Sequence, residues 1–111
     1  MKRNFRLTHR KDFQKIRSEG LTQKNQCAVL LYRKNEIGIS RAAVVASKKI
    51  GNAVKRNRVK RMIRACLDRY WNGIHPGWDL IFYARTSGAK ASFDELCTAI
   101  EGLLKKANLI L

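Results

Sequence analysis

The stretch from Asn52 to Trp71 fixes more of this chain's structure than any other. Val59, Met62, Ile63, Cys66, Leu67 and Tyr70 recur there at steps of three and four, the spacing that a helix gathers onto one side. On a wheel of about 100° per residue they fall within about 140°, while Asn57, Arg58, Lys60, Arg61 and Arg64 take the opposite side. One side must therefore pack into a core, and the other is cationic. Asn52 carries the short oxygen-bearing side chain of an N-cap, and Asn72-Gly73 supplies the stop.

The remaining elements arrange themselves around this helix. A first helix is predicted from His9 to Glu19, with Thr8 as N-cap, Phe13 and Ile16 on one face, and Gly20 ending it. Residues 28–33 and 39–46 are short aliphatic runs separated by the polar KNEIG, and read as two strands of a hairpin; a weaker strand occupies 21–25. After the breaker His75-Pro76-Gly77, residues 79–84 make a further strand. Ser92 and Glu95 then form a capping box for a last helix bearing Leu96, Cys97, Ile100, Leu103, Leu104 and Ala107. The order α-β-β-β-α-β-α, with strands that need covering, predicts an α+β two-layer sandwich. With 111 residues, 45% of them hydrophobic, and no repeat or linker, the chain reads as one domain over 1–111.

Charge says what such a domain meets. Lys and Arg number 24 against 8 Asp and Glu, a formal net charge of +16, and that excess repels itself unless an anion accompanies it. Residues 1–64 hold 19 of the cations against three acids, whereas residues 65–111 hold five of each. Between Lys48 and Arg64 there are eight Lys or Arg and no acid. A helix face that served only solubility would interleave Glu, because like charges three or four residues apart destabilise a helix by roughly 0.2–0.5 kcal/mol per pair. A polyanion removes that cost. The cations also crowd the positive end of the helix dipole, where phosphates are favoured. Nucleic acid is the leading candidate. Arg56 lies nearer the apolar side of the wheel than Arg58, so the two should reach in different directions, one toward the sheet and one outward.

Other chemistries find less support. Cys27, Cys66 and Cys97 lie 39 and 31 residues apart, matching neither a zinc site nor an even disulfide framework, and read as reduced and structural. No apolar run approaches the roughly 20 residues of a membrane span, and MKRNFRLTHR lacks the apolar stretch of a signal peptide, so the cytoplasm is the default compartment. The acids are scattered singly apart from Asp94-Glu95, which argues against a carboxylate-held metal for phosphodiester cleavage. His9 and His75 are the only candidates for acid-base work, one among Arg and Lys near a helix start and the other before a Pro-Gly turn.

The segment from Ser47 to Arg64, SKKIGNAVKRNRVKRMIR, resembles the signature of the bacterial ribonuclease P protein subunit. Arg6-Leu7, Asp12-Phe13, Gly20, Arg41 and the run from Asp79 to Ala84-Arg85 are similar to the family's other recurring positions, so the likeness spans essentially the whole chain. The resemblance implies a four-stranded sheet with a left-handed βαβ crossover through the signature helix, where general rules favour the right hand. It also implies a division of labour: a catalytic RNA subunit with bound Mg²⁺ cleaves the 5′ leader from precursor tRNA. The protein would supply no catalytic residue, metal ligand or cofactor, and would be monomeric alone.

Two surfaces follow from that likeness. Lys48, Lys49, Asn52, Lys55, Arg56, Asn57, Arg58, Lys60, Arg61 and Arg64 match the surface that grips the RNA subunit. Phe13, with residues of the sheet, matches a cleft for the single-stranded leader, and Arg17, Arg10 and Lys11 beside it are further candidates for binding the leader. Phe13 suits either a base-stacking position or the core. The chain departs from the family pattern at Arg17 and Ala28, where aromatics are common, at Ala43, commonly Gly, and at Ala65, commonly Glu. Both missing aromatics are expected to thin the leader cleft. A structural RNA-binding protein such as a ribosomal one would share the charge but not the Arg-Asn-Arg signature. A DNA-binding factor would place its basic helix beside a tight helical turn, and a membrane-active protein would carry Trp or Phe on the apolar face before Tyr70-Trp71.

Overall fold

The computed structural model describes residues 5–111; the first four residues, where the basic N-terminal stretch begins, lie outside the described residues. Helix α1 runs Arg10–Glu19. Its first bonds start from the His9 carbonyl, which accepts from Asp12 and Phe13, so His9 and not Thr8 is the N-cap, and it caps without a side-chain bond. Gly20 ends the helix in extended backbone, its N–H on the Ile16 carbonyl. The reason for glycine is space: a Cβ would run into that same carbonyl oxygen.

Strands β1 (Leu21–Lys24), β2 (Ala28–Lys34), β3 (Arg41–Val45) and β4 (Trp78–Ala84) form one sheet in the order β1-β2-β4-β3. The predicted hairpin between the second and third strands is not made. β4 lies between them, antiparallel to β2 and parallel to β3. β4 is the strand suited to the middle, since Asp79, Leu80, Ile81 and Phe82 are all buried, where an outer strand would alternate. The turn after β2 is tied to β4 as well: Asn35 donates to both the Ile39 carbonyl and Asp79 Oδ1, at 2.9 Å each. The hairpin that does form joins β1 to β2, and Asn25 Oδ1 closes it by accepting from the N–H groups of Cys27 and Ala28.

Helix α2 (Ala53–Tyr70) makes the crossover from β3 to β4. A short α3 (Thr86–Lys90), which no sequence signal foretold, follows β4, and α4 (Phe93–Lys106) closes the chain with the Ser92–Glu95 capping box in place. Helices α2 and α4 cover one face of the sheet, where Leu30, Tyr32, Val44, Leu80 and Phe82 meet Val59, Ile63 and Leu67 of α2 and Leu96, Ile100 and Leu103 of α4. Burying each such side chain stabilises the fold by about 1.5–3 kcal/mol. That outweighs the few tenths lost to each like-charge pair on the other side of α2, so packing holds this helix in place.

Two sequence expectations change at this interface. The structure pairs Cys66 with Cys97 as a disulfide between α2 and α4, with Cα atoms 4.9 Å apart, where the spacing suggests separate thiols. Each sits on the buried side of its helix, and helix packing, which no spacing rule reports, brings the pair together. Only Cys27 is free. Ala28 is fully buried in this same core, on the opposite face of the sheet from Phe13, so its size does not bear on the face that α1 covers.

The second face is covered only in part. Leu7, Ile16 and Ile81 form a small core under α1, bordered by half-buried Phe13, Leu31, Ala43, Val45 and Tyr83. Arg41 anchors one end of the helix to the sheet: its guanidinium donates to Asp79 Oδ1 at 2.9 Å and Oδ2 at 2.8 Å and to Asp12 Oδ2 at 3.2 Å. The hydrogen bond with Asp79 holds the Arg41 guanidinium further above its ordinary range, and the two carboxylates add to this against burial. Glu19, at the other end of α1, pairs with Arg33 of β2 at 2.8 Å. The helix is thus pinned across the β3-to-β2 width at the Asp79 end of the sheet.

Candidate nucleic-acid interface

After β3 the chain makes a single 3-10 turn over Lys48–Ile50 and reverses at Gly51. Gly51 has φ 141°, a conformation L side chains avoid, so the approach to α2 requires glycine here. Asn52 then caps the helix, its Oδ1 accepting the Lys55 N–H at 3.0 Å. Asn52→Ala removes this cap and is expected to lower unfolding stability by about 1 kcal/mol, measurable by urea titration.

The cations divide around the helix as the wheel predicts, with one difference. Asn57, Arg58 and Arg61 are exposed, and Lys60 and Arg64 are half-buried along the margin. Arg64 Nε is shielded from solvent and has no hydrogen-bond partner among the described residues. Arg56 is half-buried but turns back to the Gly51 carbonyl, at 3.4 Å, and does not reach for the sheet. Arg58 points the other way. With Lys49, Lys55 and Lys90 it surrounds a cleft of about 310 Å³ whose apolar lining includes Ile50 and Ala89. Lys90 arrives on α3, the helix that the sequence did not foretell. Among the described residues, a cavity of about 560 Å³ at the far end of α2 is lined by Phe5, Ile39, Trp71 and Asp68.

On the second face, Phe13 and Arg17 lie one helical turn apart on α1, the Arg17 guanidinium 5.7 Å from the centre of the Phe13 ring. Arg17 Nε also donates to the Tyr83 hydroxyl at 3.0 Å. Arg10 and Lys11 are exposed at the start of α1, the end held by Arg41. His9 heads α1, and His75 sits in the turn before β4 with its backbone N–H on the Leu109 carbonyl. No group of three or more His, Cys, Asp or Glu among the described residues is placed to hold a metal ion, and no helix there is long and apolar enough to cross a membrane.

The ribonuclease P family profile matches residues 1–108. A ribonuclease P protein component of Dehalococcoides mccartyi is 36% identical over 99% of this chain and 90% of its own length. The chain belongs to the ribonuclease P protein family. A second relative, the ribonuclease P protein component of Caldanaerobacter subterraneus, is 38% identical over 94% of this chain and 90% of its own. Among solved structures, the ribonuclease P protein of Staphylococcus aureus superposes with a TM-score of 0.88 at 31% identity, covering 96% of this chain and 98% of that one. That of Thermotoga maritima gives 0.83 at 32%, covering 91% and 96%.

Asp12, Arg41 and Asp79, far apart in sequence, are one ion-paired cluster that seats α1 on the sheet. Gly20 allows the chain to leave α1 tightly enough to begin β1.

Proposed function

We propose that this chain is the protein subunit of ribonuclease P, binding a catalytic RNA subunit and the 5′ leader of precursor tRNA while that RNA removes the leader. The observation that carries the reading is the basic side of α2 with its lysine-bearing turn: eight cations and no acid, on a helix whose other side is fixed in the core. Lys48, Lys49, Lys55, Arg56, Arg58, Lys60, Arg61 and Arg64 are assigned to phosphates of the RNA subunit, and Asn57 to a base edge or 2′-hydroxyl. Asn52 shapes the surface by capping it.

The leader is assigned to the partly covered face of the sheet, with Phe13 and Arg17 touching it and Arg10 and Lys11 drawing in its phosphates. Cleavage is assigned to the RNA, with the Mg²⁺ it binds. The carboxylates of this face support that division, since Asp12, Asp79 and Glu19 are each engaged by an arginine. In this reading the protein is an RNA-binding subunit of a tRNA-processing endoribonuclease, working in the cytoplasm and not on DNA or membranes.

Reconstitution with the RNA subunit of the same organism tests this. The purified protein should cleave nothing by itself, lower the Mg²⁺ its RNA needs to process precursor tRNA, and raise affinity for precursor over mature tRNA. Nuclease activity in RNA-free protein would sink the assignment of chemistry to the RNA.

A further inference from the structure

We infer that Tyr83 is a base-stacking residue of the leader cleft, positioned by Arg17; this rests on the leader reading above and adds a residue that the resemblance did not assign. Helix α1 leaves part of its face of the sheet open. Asp12 is tied to Arg41 and Glu19 to Arg33, so the helix lies across the sheet at the end where Arg41 and Arg33 stand beside Asp79. Tyr83 is four residues further along β4, facing the same way as Asp79 and Ile81, with Val29 and Val45 as its strand neighbours. It is half-buried, and its hydroxyl is held by Arg17.

A tyrosine so fixed offers a flat π surface that has already lost its rotamer freedom, and a base stacks on such a surface whatever its sequence. The occupant follows from charge. Asp12, Asp79 and Glu19 are each ion-paired on this face, whereas Arg17 meets a ring and a neutral hydroxyl and no acid among the described residues. Lys24, beside Val29, is exposed. A cationic rim around an aromatic floor fits a single-stranded polynucleotide. Beyond Val45, the chain enters the Lys48–Ile50 turn within three residues, so the same strand end serves both surfaces.

The test uses the reconstituted holoenzyme with Tyr83→Leu, which keeps apolar cover over the sheet, and Tyr83→Phe, which keeps the ring and loses the bond to Arg17. Affinity is measured for precursor tRNA and for mature tRNA, and fluorescence for a precursor carrying 2-aminopurine in its leader. Tyr83→Leu should cut the precursor-over-mature preference by at least about fivefold, the equivalent of removing one stacked base, and relieve 2-aminopurine quenching. Tyr83→Phe, keeping the ring without the bond that positions it, should fall between wild type and Tyr83→Leu in both. Mature tRNA affinity and RNA-subunit binding should not move. A wild-type preference that survives Tyr83→Leu intact overturns the role of Tyr83 while leaving the leader reading standing. A wild-type holoenzyme with no such preference overturns both.

Discussion

Changing Arg58, Arg61 and Arg64 together to Ala should weaken binding of the RNA subunit and flatten its salt dependence by up to about 0.7–0.9 log units for each phosphate no longer neutralised. The salt slope is the informative quantity, because it counts released counterions and is blind to small changes of packing. All three side chains belong to the cationic part of α2, and none belongs to the apolar set that seats the helix. They also stand three residues apart, so their removal relieves like-charge repulsion within the helix and should leave thermal stability equal or slightly raised. Weaker binding with unaltered unfolding is therefore the expected pair of results. A salt slope identical to that of the wild type would place the RNA on another face.

Asp79→Ala should be strongly destabilising, costing about 3–5 kcal/mol in urea unfolding. Domains of this kind are stable by roughly 5–15 kcal/mol in total, so the variant would stand near its folding limit. The cause is what the carboxylate holds. Its side chain is only 6% exposed, both oxygens accept from Arg41, and one also accepts from Asn35. Without it a largely buried guanidinium keeps only the longer bond to Asp12, and the turn after β2 loses its tie to β4. A loss below about 1 kcal/mol would show that solvent or Asp12 replaces the partner.

The parts of the fold written in local periodicity were legible in the sequence: the bounds and cap of α2, the capping box of α4, and the weak strand that became β1. Failures began where long-range pairing decides. β2 and β3 are adjacent in sequence and each would suit a hairpin, but the strand that separates them comes more than 30 residues later, after the crossover helix. The Cys66–Cys97 pair and the burial of Ala28 are of the same kind, since one depends on helix packing and the other on register. The basic side of the candidate site was readable because one helix carries nearly all of it. Lys90 and Tyr83 were not, because their relevance comes from which elements stand beside them.

The strand order also decides how the sheet ends sideways. β3 is an outer strand, and its free margin would offer unpaired backbone groups to any other extended chain. In this protein the segment ahead of α1 occupies part of that margin, Arg6 bridging in parallel to Ala42 and the Leu7 N–H bonding the Ala42 carbonyl at 2.8 Å. At the other side β1 is only four residues long and ends on exposed Lys24. One margin is partly stitched shut and the other is short and ends on a lysine, both features that disfavour strand addition. The sheet is thereby shielded from pairing with a second copy of itself through its own edges.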